Sequence, residues 1–335
     1  MRLQDLPRPL ARRCLGIPRF CRDVLGVDLQ GARLIVAYSA GQDSSALLHL
    51  LHLLRPSLEL TLVAAHAHHG LRPESDQEQE HALAVCAGLH IPCRTRRLEL
   101  TTQRNLEEEA RIRRYAFLED VRAVYEADWI VTAHHADDLA EDIVMRLMRG
   151  TGWPGLGGMP GRDDRRGVLR PVLDWEKGEL AAVLNALGAG WCEDTSNRAL
   201  DRARNRIRHE ILPLLRRENP ALTRATLNLW RCARLDEDYW SQHTATAPET
   251  NRCFLDAETL QIHPAHRLRL YKAVLDAMGP GQALAEHLLS LDKAWMDKKR
   301  GHQVQFPGDK VACVESGGIR FTFQPRRTAS PESAD

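Results

Sequence analysis

A loop rich in small and hydroxyl-bearing residues joins a short apolar run to a leucine-rich helical pattern. The apolar run spans residues 34–38, and the loop that follows reads Ser39-Ala40-Gly41-Gln42-Asp43-Ser44. Where a buried strand gives way to a helix, the first backbone N–H groups lack partners and the helix dipole favours an anion. The loop therefore predicts a phosphate site, although an ordinary strand-to-helix turn has the same pattern.

This loop lacks the lysine of the phosphate loop found in kinases and GTPases. That lysine directly precedes the Ser/Thr and reaches the outer phosphates, whereas no lysine occurs here before Lys177. Hydroxyls, backbone amides and a metal ion near Asp43 would have to hold a leaving pyrophosphate. The pattern therefore favours attack at the α-phosphate with transfer of AMP.

Imidazoles and carboxylates form a second chemical cluster, which reads His134-His135-Ala136-Asp137-Asp138-Leu139-Ala140-Glu141-Asp142. Asp137 and Glu141 lie one helical turn apart, so their side chains share a face, although Asp137 also fits a simple helix cap. Such a pair can hold Mg²⁺, or can position an amine nucleophile and accept its proton. Zinc with ligands from His66, His68 and His69 is the alternative, but carboxylates beside a phosphate loop suit magnesium better.

Arginines form two further groups. In the first, acidic residues precede Arg111 and Arg114 on a predicted helix, an order that helix electrostatics alone explains. Pointed into a cleft, either arginine would neutralise transition-state charge. The second group lies between residues 198 and 217 and includes Arg204, Arg206 and Arg208. A basic stripe on a neutral protein predicts contact with nucleic-acid phosphates, and an ion-paired solvated helix is the alternative.

The elements that carry these clusters alternate between strands and helices. Strands are predicted at residues 34–38, 58–65, 93–98 and 129–133, and helices at residues 74–89, 106–125, 136–148 and 177–187. This order predicts an α/β fold with a Rossmann-like parallel sheet and helices on both faces. Ligands of such sheets bind beyond the carboxyl ends of the strands, so the loops at 39–44, 66–72 and 134–138 should meet there.

The chain of 335 residues is long enough for two or three domains. A catalytic domain is predicted over residues 1–217, ending before the boundary signal Glu218-Asn219-Pro220. A smaller, mostly helical domain over residues 218–327 follows, with helices at 222–240 and 266–293 and a β-hairpin at 303–324. Residues 328–335 are rich in Ser, Pro and acids, which predicts a disordered tail.

Composition narrows the classes of function. Lys and Arg number 46 against 45 Asp and Glu, for a net charge of +1. The 8 cysteines are scattered without a C-x-x-C pair, which argues against a zinc ribbon, an iron–sulfur ligand set and a disulfide scaffold. No apolar run approaches the length of a bilayer span and the N-terminus lacks a secretory signal, so we expect no membrane association and a cytoplasmic location.

Several motifs, in order along residues 33–215, resemble those of the tRNA(Ile)-lysidine synthetases, a family of N-type ATP pyrophosphatases. The similar segments are residues 39–44 (S-G-G-x-D-S), 66–72 (H-x-N-H-G-L-R), 110–115 (A-R-x-x-R-Y), 134–141 (H-H-x-D-D-Q-x-E) and 194–208 (D-x-S-N…R-N-x-I-R). The combination is far more selective than any one motif. The region after residue 220 is loosely similar to the helical appendage of the family's compact members.

The resemblance implies an ATP-dependent ligase whose substrates are ATP, free L-lysine and the tRNA(Ile) with a CAU anticodon. The C2 carbonyl oxygen of the wobble cytidine would attack the α-phosphate of ATP, and the lysine ε-amine would then displace AMP. This modification would change the codon that the tRNA reads from that of methionine to that of isoleucine. The implied ATP-binding residues are Ser39, Ala40, Gly41, Gln42, Asp43, Ser44, His66, His69 and His134.

The same motifs imply roles for the charged residues. Asp43 and Asp138 would hold Mg²⁺, while Arg114 or Arg111 would stabilise charge. Lysine capture and proton removal would fall to Asp137, Asp138 or Glu141. The implied tRNA contacts are Arg204, Asn205, Arg206 and Arg208. The sequence leaves open whether the chain forms a homodimer.

The chain departs from the family pattern at four positions, because Ala40, His68, Leu139 and Asp142 replace a glycine, an asparagine, a glutamine and a threonine. Alanine replaces glycine only where φ is negative or strain is tolerated. Two alternatives stay open. One is an N-type enzyme that thiolates a tRNA base, which the absence of C-x-x-C pairs disfavours, and the other is a catalytically silent nucleotide or tRNA binder.

Overall fold

A computed structural model gives the fold of the chain. It describes residues 2–68, 74–98, 106–193, 203–243 and 252–324. The chain divides into two compact units, of which the first comprises Met1–Asp142 and Met159–Leu227 and the second Ile143–Gly158 and Asn228–Asp335. The domain boundary at residue 217 stays a prediction, and the tail predicted at residues 328–335 lies outside the described residues.

The first unit contains a six-stranded sheet. Its strands are β1 (Arg33–Ala37), β2 (Thr61–His68), β3 (Cys93–Arg97), β4 (Trp129–Val131), β5 (Arg162–Asp163) and β6 (Val168–Leu169). They lie in the order β3-β2-β1-β4-β6-β5, and every neighbouring pair is parallel except β5 and β6. Central strand β1 is apolar and buried, as expected for a strand covered on both faces. The α/β class with a parallel sheet is confirmed.

Helices precede, connect and follow these strands along the chain, and most of the last one, from Asn228, belongs to the second unit. In chain order they are α1 (Arg8–Leu25), α2 (Gln42–Leu58), α3 (Glu74–Gly88), α4 (Leu106–Val124), α5 (Ala136–Met148), α6 (Lys177–Leu187), α7 (Ala203–Arg206), α8 (Leu212–Glu218) and α9 (Leu222–His243). A π-helical turn over Ile207–Ile211 joins α7 to α8. Helices α5 and α6 have the predicted bounds. The strand start predicted at residue 58 is wrong, because α2 runs to Leu58 and ends at Glu59, whose φ is 54°.

The second unit contains an antiparallel sheet with the strand order β7-β10-β9-β8. Its elements are β7 (Arg252–Asp256), α10 (Pro264–Ala277), α11 (Ala285–Met296), β8 (Gln303–Phe306), β9 (Lys310–Glu315) and β10 (Gly318–Phe323). Tyr271, Leu291 and Phe321 contribute to its fully buried core. The predicted hairpin is present as β9 and β10, but it belongs to a four-stranded sheet whose strand β7 was not predicted.

The helix predicted at residues 266–293 is broken in two. Gly279 and Gly281 have φ values of +126° and +107°, a region that L side chains rarely adopt, and Pro280 lies between them. Proline also lacks the backbone N–H that a continuous helix needs. Helix α10 therefore ends at Ala277, and α11 begins only at Ala285.

The topology brings two of the predicted loops to one edge of the first sheet. Strands β1 and β4 are parallel neighbours, with Leu34 opposite Trp129. Their carboxyl ends lead directly into residues 39–44 and into His134. Of the third predicted loop, at residues 66–72, the first three residues form the end of β2, and the others lie outside the described residues. Within the described ranges, no helix combines the length and the apolar character that crossing a membrane requires.

Candidate active site

The loop between β1 and α2 is held together by its own hydroxyl groups. Ser44 Oγ donates to the Gly41 carbonyl oxygen at 3.0 Å and lies 3.0 Å from Ser39 Oγ. The same Ser44 oxygen accepts the backbone N–H of Ser39 at 3.2 Å. Gln42 is the first residue of α2. The loop is thereby fixed at a helix N-terminus, where the dipole favours a phosphate.

Ala40 adopts the left-handed conformation that glycine reaches more easily. Its φ is 65° and its side chain is fully buried. Its carbonyl oxygen accepts the Cys192 backbone N–H at 2.9 Å and the Ser45 hydroxyl at 3.4 Å. A left-handed alanine costs about 1–2 kcal/mol. The departure from glycine is therefore tolerated as strain, which the surrounding contacts hold in place.

A cleft of about 220 Å³ opens beside this loop. Its walls are formed by the carboxyl ends of the strands and by residues from α2, α4 and α5. The lining includes six of the residues predicted from the sequence, Ser39, Asp43, Ser44, Arg114, His134 and Asp138. The fold thus brings together side chains that lie almost one hundred positions apart in the chain.

His135 lies among three carboxylates beside the cleft. Its Nε2 is 3.5 Å from Asp43 Oδ2 and 3.4 Å from Asp138 Oδ2, and its Nδ1 is 3.5 Å from Asp137 Oδ2. Burial by itself lowers the pKa of an imidazole, but these carboxylates raise the pKa of His135 to about 10. A charged imidazole therefore links the loop after β1 to helix α5.

One carboxylate oxygen of Asp43 has no partner among the residues that the structure describes. Burial would raise the pKa of this carboxyl, but His135 beside it holds that pKa below its ordinary value. Its Oδ1 is buried and accepts no hydrogen bond within the described residues. Such an oxygen calls for a cation or a water. Asp43 and Asp138 together fit Mg²⁺, which takes one or two carboxylates and shares substrate phosphates.

A zinc site does not fit the same region. Across the ranges that the structure describes, no group of three or more His, Cys, Asp or Glu residues is arranged to hold a metal ion. Structural zinc needs four protein ligands, and catalytic zinc needs three. Two of the three histidines that zinc would have needed have other partners: His66 Nδ1 donates to the Tyr38 carbonyl oxygen at 3.0 Å, and His68 Nε2 lies 2.8 Å from Asp76 Oδ1. The third, His69, lies outside the described residues.

Asp137 connects helix α5 to two later helices. Its Oδ2 accepts the backbone N–H of Lys177, the first residue of α6, at 2.8 Å, and its Oδ1 accepts from Arg216 of α8. Burial would raise the pKa of this carboxyl, but its bonds to His135 and Lys177 and the charge of Arg216 hold the pKa well below the ordinary value. Asp137 therefore caps α6 rather than its own helix.

Glu141 is only 1% exposed and is surrounded by guanidinium groups. Arg208 donates from Nε to Oε1 at 2.6 Å and from Nη2 to Oε2 at 3.0 Å, while Arg204 Nε donates to Oε2 at 2.9 Å. Arg208 Nη2 also donates to Asp138 Oδ1 at 3.2 Å. Burial raises the pKa of Asp138 above its ordinary value. The acids of α5 are thus balanced by arginines from the basic stretch.

The four predicted tRNA contacts are in different environments. Arg204 and Arg208 are four positions apart and face Glu141 together. Asn205 is 7% exposed, whereas Arg206 is exposed. Their assignment to tRNA stays a prediction. The preceding part of that motif, residues 194–202, lies outside the described residues.

Two arginines of α4 lie against the same aromatic ring. The guanidinium carbons of Arg111 and Arg114 are 5.4 and 5.7 Å from the centre of the Tyr115 ring, and that of Arg166 is 5.6 Å away. These distances suit cation–π contacts. Arg114 and Tyr115 line the cleft. A positive wall therefore faces the phosphate loop across the cleft.

The surroundings of His134 differ from those of His135, because arginines and not carboxylates lie around it. Its Nδ1 lies 2.8 Å from Thr132 Oγ1 and accepts from Arg170 Nε at 3.2 Å. Burial and the positive charge of Arg170, Arg204 and two further arginines lower the pKa of His134 well below its ordinary value. His134 is therefore a neutral imidazole. His69, the remaining predicted ATP-binding residue, lies outside the described residues.

Sequence reasoning gave no role to His135, Arg170 or Arg216. His135 was visible only as part of a motif, and Arg170 follows β6 at the same sheet edge, which is the one signal that pointed to it. Arg216 lies within the basic stretch but nothing in the sequence pairs it with Asp137. Each of these contacts joins segments that are distant in the chain.

Comparison with known proteins agrees with this geometry. Residues 19–215, more than half of the chain, match the family model of the PP-loop domain. The tRNA(Ile)-lysidine synthase of Nitratidesulfovibrio vulgaris is 41% identical over 93% of this chain and 98% of its own length. That of Geobacter sulfurreducens is 34% identical over 88% of this chain and 66% of its own. That of Azoarcus sp. is 40% identical, and the chain spans only 43% of its length.

Among solved structures, the U34-tRNA thiolase NcsA from Methanococcus maripaludis, with its 4Fe-4S cluster, has a similar fold. The TM-score is 0.55 at 16% identity, covering 67% of this chain and 79% of that one. Fold and site together define a PP-loop ATP-binding protein. Sequence identity is more specific than the fold, because identity to the Nitratidesulfovibrio vulgaris protein extends over almost the whole chain. The chain belongs to the tRNA(Ile)-lysidine synthase family.

Proposed function

We propose that this chain ligates lysine to C2 of the wobble cytidine of a tRNA(Ile) with a CAU anticodon, with ATP as the co-substrate. The observation that carries the proposal is the meeting of Asp43 and Asp138 at His135, directly beside the serine loop. Two carboxylates beside the proposed pyrophosphate loop support a reaction at the α-phosphate of ATP. Family membership supplies the nature of the second substrate and of the nucleic acid.

In the first step, the C2 carbonyl oxygen of the cytidine attacks the α-phosphate of ATP and the bond to the β-phosphate breaks. The leaving pyrophosphate would occupy the loop formed by Ser39 to Ser44 at the N-terminus of α2. Arg114, with Arg111 behind the same ring, would neutralise charge on the phosphates. Mg²⁺ held by Asp43 and Asp138 would supply further positive charge there.

In the second step, the lysine ε-amine attacks C2, and AMP leaves with the oxygen of the cytidine carbonyl. An amide-like carbonyl is a poor electrophile, and adenylation turns its oxygen into a good leaving group. The amine must lose a proton, for which Asp137, Asp138 and Glu141 are the nearby acceptors. Arg204 and Arg208 lie on Glu141, so the lysine ammonium would compete with guanidinium groups for this carboxylate.

The tRNA would contact the basic stretch over α7 and the π-helical turn. Arg206 is its exposed member, which makes it the first candidate for a phosphate contact. Asn205, Arg204 and Arg208 would then shape the site from within. An enzyme that acts on tRNA would work in the cytoplasm. A homodimer is open to test by sedimentation.

Pyrophosphate release tests the proposal against its alternatives. Purified protein is mixed with ATP and unmodified tRNA(Ile), with and without lysine, and pyrophosphate, AMP and RNA-bound label from α-labelled ATP are followed. A lysidine-forming enzyme releases pyrophosphate with tRNA, but releases AMP only when lysine is added. AMP release that requires a sulfur donor would instead identify a thiolating enzyme, and no pyrophosphate would identify a silent binder.

Glu141→Gln separates the two steps. If Glu141 holds the lysine ammonium or takes its proton, the variant should still adenylate the tRNA, because that step needs no amine. Labelled tRNA should then accumulate in a single-turnover reaction even at high lysine. Failure to label the tRNA would assign Glu141 to the ATP site, and wild-type behaviour would make it a structural partner of Arg204 and Arg208.

A further inference from the structure

Arg170 is a buried arginine just after β6, and its hydrogen-bond acceptors among the described residues are neutral. Its side chain is 5% exposed. One nitrogen, Nη1, donates to the Pro160 carbonyl oxygen at 2.6 Å, and Nε donates to His134 Nδ1 at 3.2 Å. Keeping a cation at this depth costs energy unless it does something specific. Arg170 contacts His134, whose ring lines the cleft, and this contact indicates the function of the buried charge.

The chemistry of arginine fixes the proton on His134. A guanidinium group only donates hydrogen bonds, so Nδ1 must present its lone pair to Arg170. Thr132 Oγ1 lies 2.8 Å from the same Nδ1 atom. Since His134 is neutral, its single ring proton is on Nε2, on the other side of the ring. The side chain therefore offers a donor, and not an acceptor, to a ligand.

We propose that Arg170 is a positioning residue that holds His134 as the Nε2–H tautomer, so that this N–H binds a phosphate oxygen of ATP. His134 lines the same cleft as Ser39, Ser44 and Arg114, which all suit anionic oxygens. The inference rests on the proposed ATP site, but it does not depend on lysine or tRNA. No motif assigned a role to Arg170. Its contact determines which nitrogen of the His134 ring carries the proton.

Two other buried histidines provide an internal reference. His49 Nδ1 lies 2.8 Å from the Ser45 carbonyl oxygen, and His66 Nδ1 lies 3.0 Å from the Tyr38 carbonyl oxygen. A carbonyl only accepts, so both rings carry a proton on Nδ1. His134 should therefore differ from His49 and His66 in the position of its ring proton, within one sample.

Nitrogen-15 NMR of histidine-labelled protein reads this difference directly and needs no substrate. In the wild type, His134 should show an unprotonated Nδ1 and a protonated Nε2. Arg170→Met should shift His134 toward a mixture of tautomers, while His49 and His66 stay unchanged. Arg165→Met, which removes an exposed arginine of the same hairpin, should change none of the three. A wild-type His134 with its proton on Nδ1 would overturn the proposal.

Nucleotide affinity tests the phosphate contact. Arg170→Met should weaken ATP binding by about 2-fold, because only the fraction of His134 that carries its proton on Nε2 can donate to a phosphate, and should leave adenosine binding unchanged. An equal loss for ATP and adenosine would mean that the ring does not contact a phosphate, which would overturn the proposal. Because binding is measured without tRNA or lysine, this outcome is separate from any failure to form lysidine.

A second pair of variants keeps the test valid if Arg170→Met does not fold. His134→Gln can place its amide N–H near the position of Nε2–H and its oxygen near Nδ1, whereas His134→Glu of nearly the same shape has no donor when ionised. The glutamine variant should bind ATP at least about 10-fold more tightly than the glutamate variant. Equal affinities would show that no donor is needed, and the proposal would fail.

Discussion

His135 in the first unit and Lys310 in the second are both buried cationic side chains, 2% and 1% exposed. Their pKa values are shifted in opposite directions. His135 has three carboxylates around it, and its pKa is raised to about 10. Lys310 donates to the carbonyl oxygens of Leu275, Gly279 and Gly281 at 2.7, 2.8 and 3.2 Å. Burial lowers its pKa, because these acceptors are dipoles without net charge.

Lys310 is a structural cation, whereas His135 belongs to the candidate site. Every N–H of the Lys310 ammonium has an acceptor, so the group is satisfied and holds the chain together where the helix breaks between α10 and α11. Beside His135, by contrast, Asp43 keeps a buried oxygen without a partner within the described residues. A cation or a water can satisfy such an oxygen.

The largest expected effect comes from a change of Asp43, which lies beside His135 in the candidate site. Asp43→Asn should reduce ATP turnover by about 10³-fold, because it removes the charge that faces the metal and the phosphates. The free energy of unfolding should change far less, because Asp137 and Asp138 still lie beside the His135 imidazole. Asp28→Asn, at an exposed loop aspartate, is the matched control. Activity within a few-fold of wild type would remove Asp43 from the mechanism.

Lys310→Met should show the reverse pattern. Three carbonyl oxygens would lose their donor, which should lower the free energy of unfolding of the second unit by about 3 kcal/mol, whereas ATP-dependent turnover below the melting temperature should persist. Urea titration and initial rates measure the two effects. Lys299→Met, at an exposed lysine, should change neither. A loss of activity without a loss of stability would contradict the structural role.

The opposite pKa shifts should appear as opposite pH dependences of stability. For His135 the folded pKa of about 10 lies above the ordinary value of 6.5. Its stabilisation should be complete below that ordinary value and should disappear as the pH rises toward 10. For Lys310 the folded pKa is lowered, so stability should instead rise as the pH approaches the ordinary lysine value.

Urea unfolding of metal-free protein across this pH range, for wild type and for His135→Asn, measures the first of these slopes. The variant should lose the decline at alkaline pH that the wild type shows. His302→Asn changes an exposed histidine of the second unit and should keep the wild-type profile. Parallel profiles for wild type and His135→Asn would mean that the carboxylates do not hold the imidazole charged.

The smallest effect concerns a cation of a third kind, one at the surface. Arg206→Gln should weaken tRNA binding by about 3-fold and should flatten the salt dependence by about one unit of log–log slope, because one phosphate contact releases fewer counterions. Its ATP affinity should not change. Arg165→Gln is the control at an exposed arginine. An unchanged salt slope for Arg206→Gln would favour a solvated helix with no RNA contact.

The sequence sufficed for features that depend on local pattern. The apolar run before Ser39, the small residues after it and the helical period that follows predict a strand, a loop and a helix, and the structure has all three. Helices α5 and α6 were predicted to the residue for the same reason. Element type follows from periodicity, and the parallel order of βα units then fixes which loops share an edge.

Pairing between distant side chains was decided only by the tertiary structure. Arg204, Arg206 and Arg208 have the same chemistry in the sequence, yet two of them lie on Glu141 and one is exposed. Likewise, two adjacent histidines differ, because His134 is surrounded by arginines and is neutral while the next ring is surrounded by carboxylates and is charged. Burial and the charge of neighbours set protonation, and both arise only when segments far apart in the chain pack together.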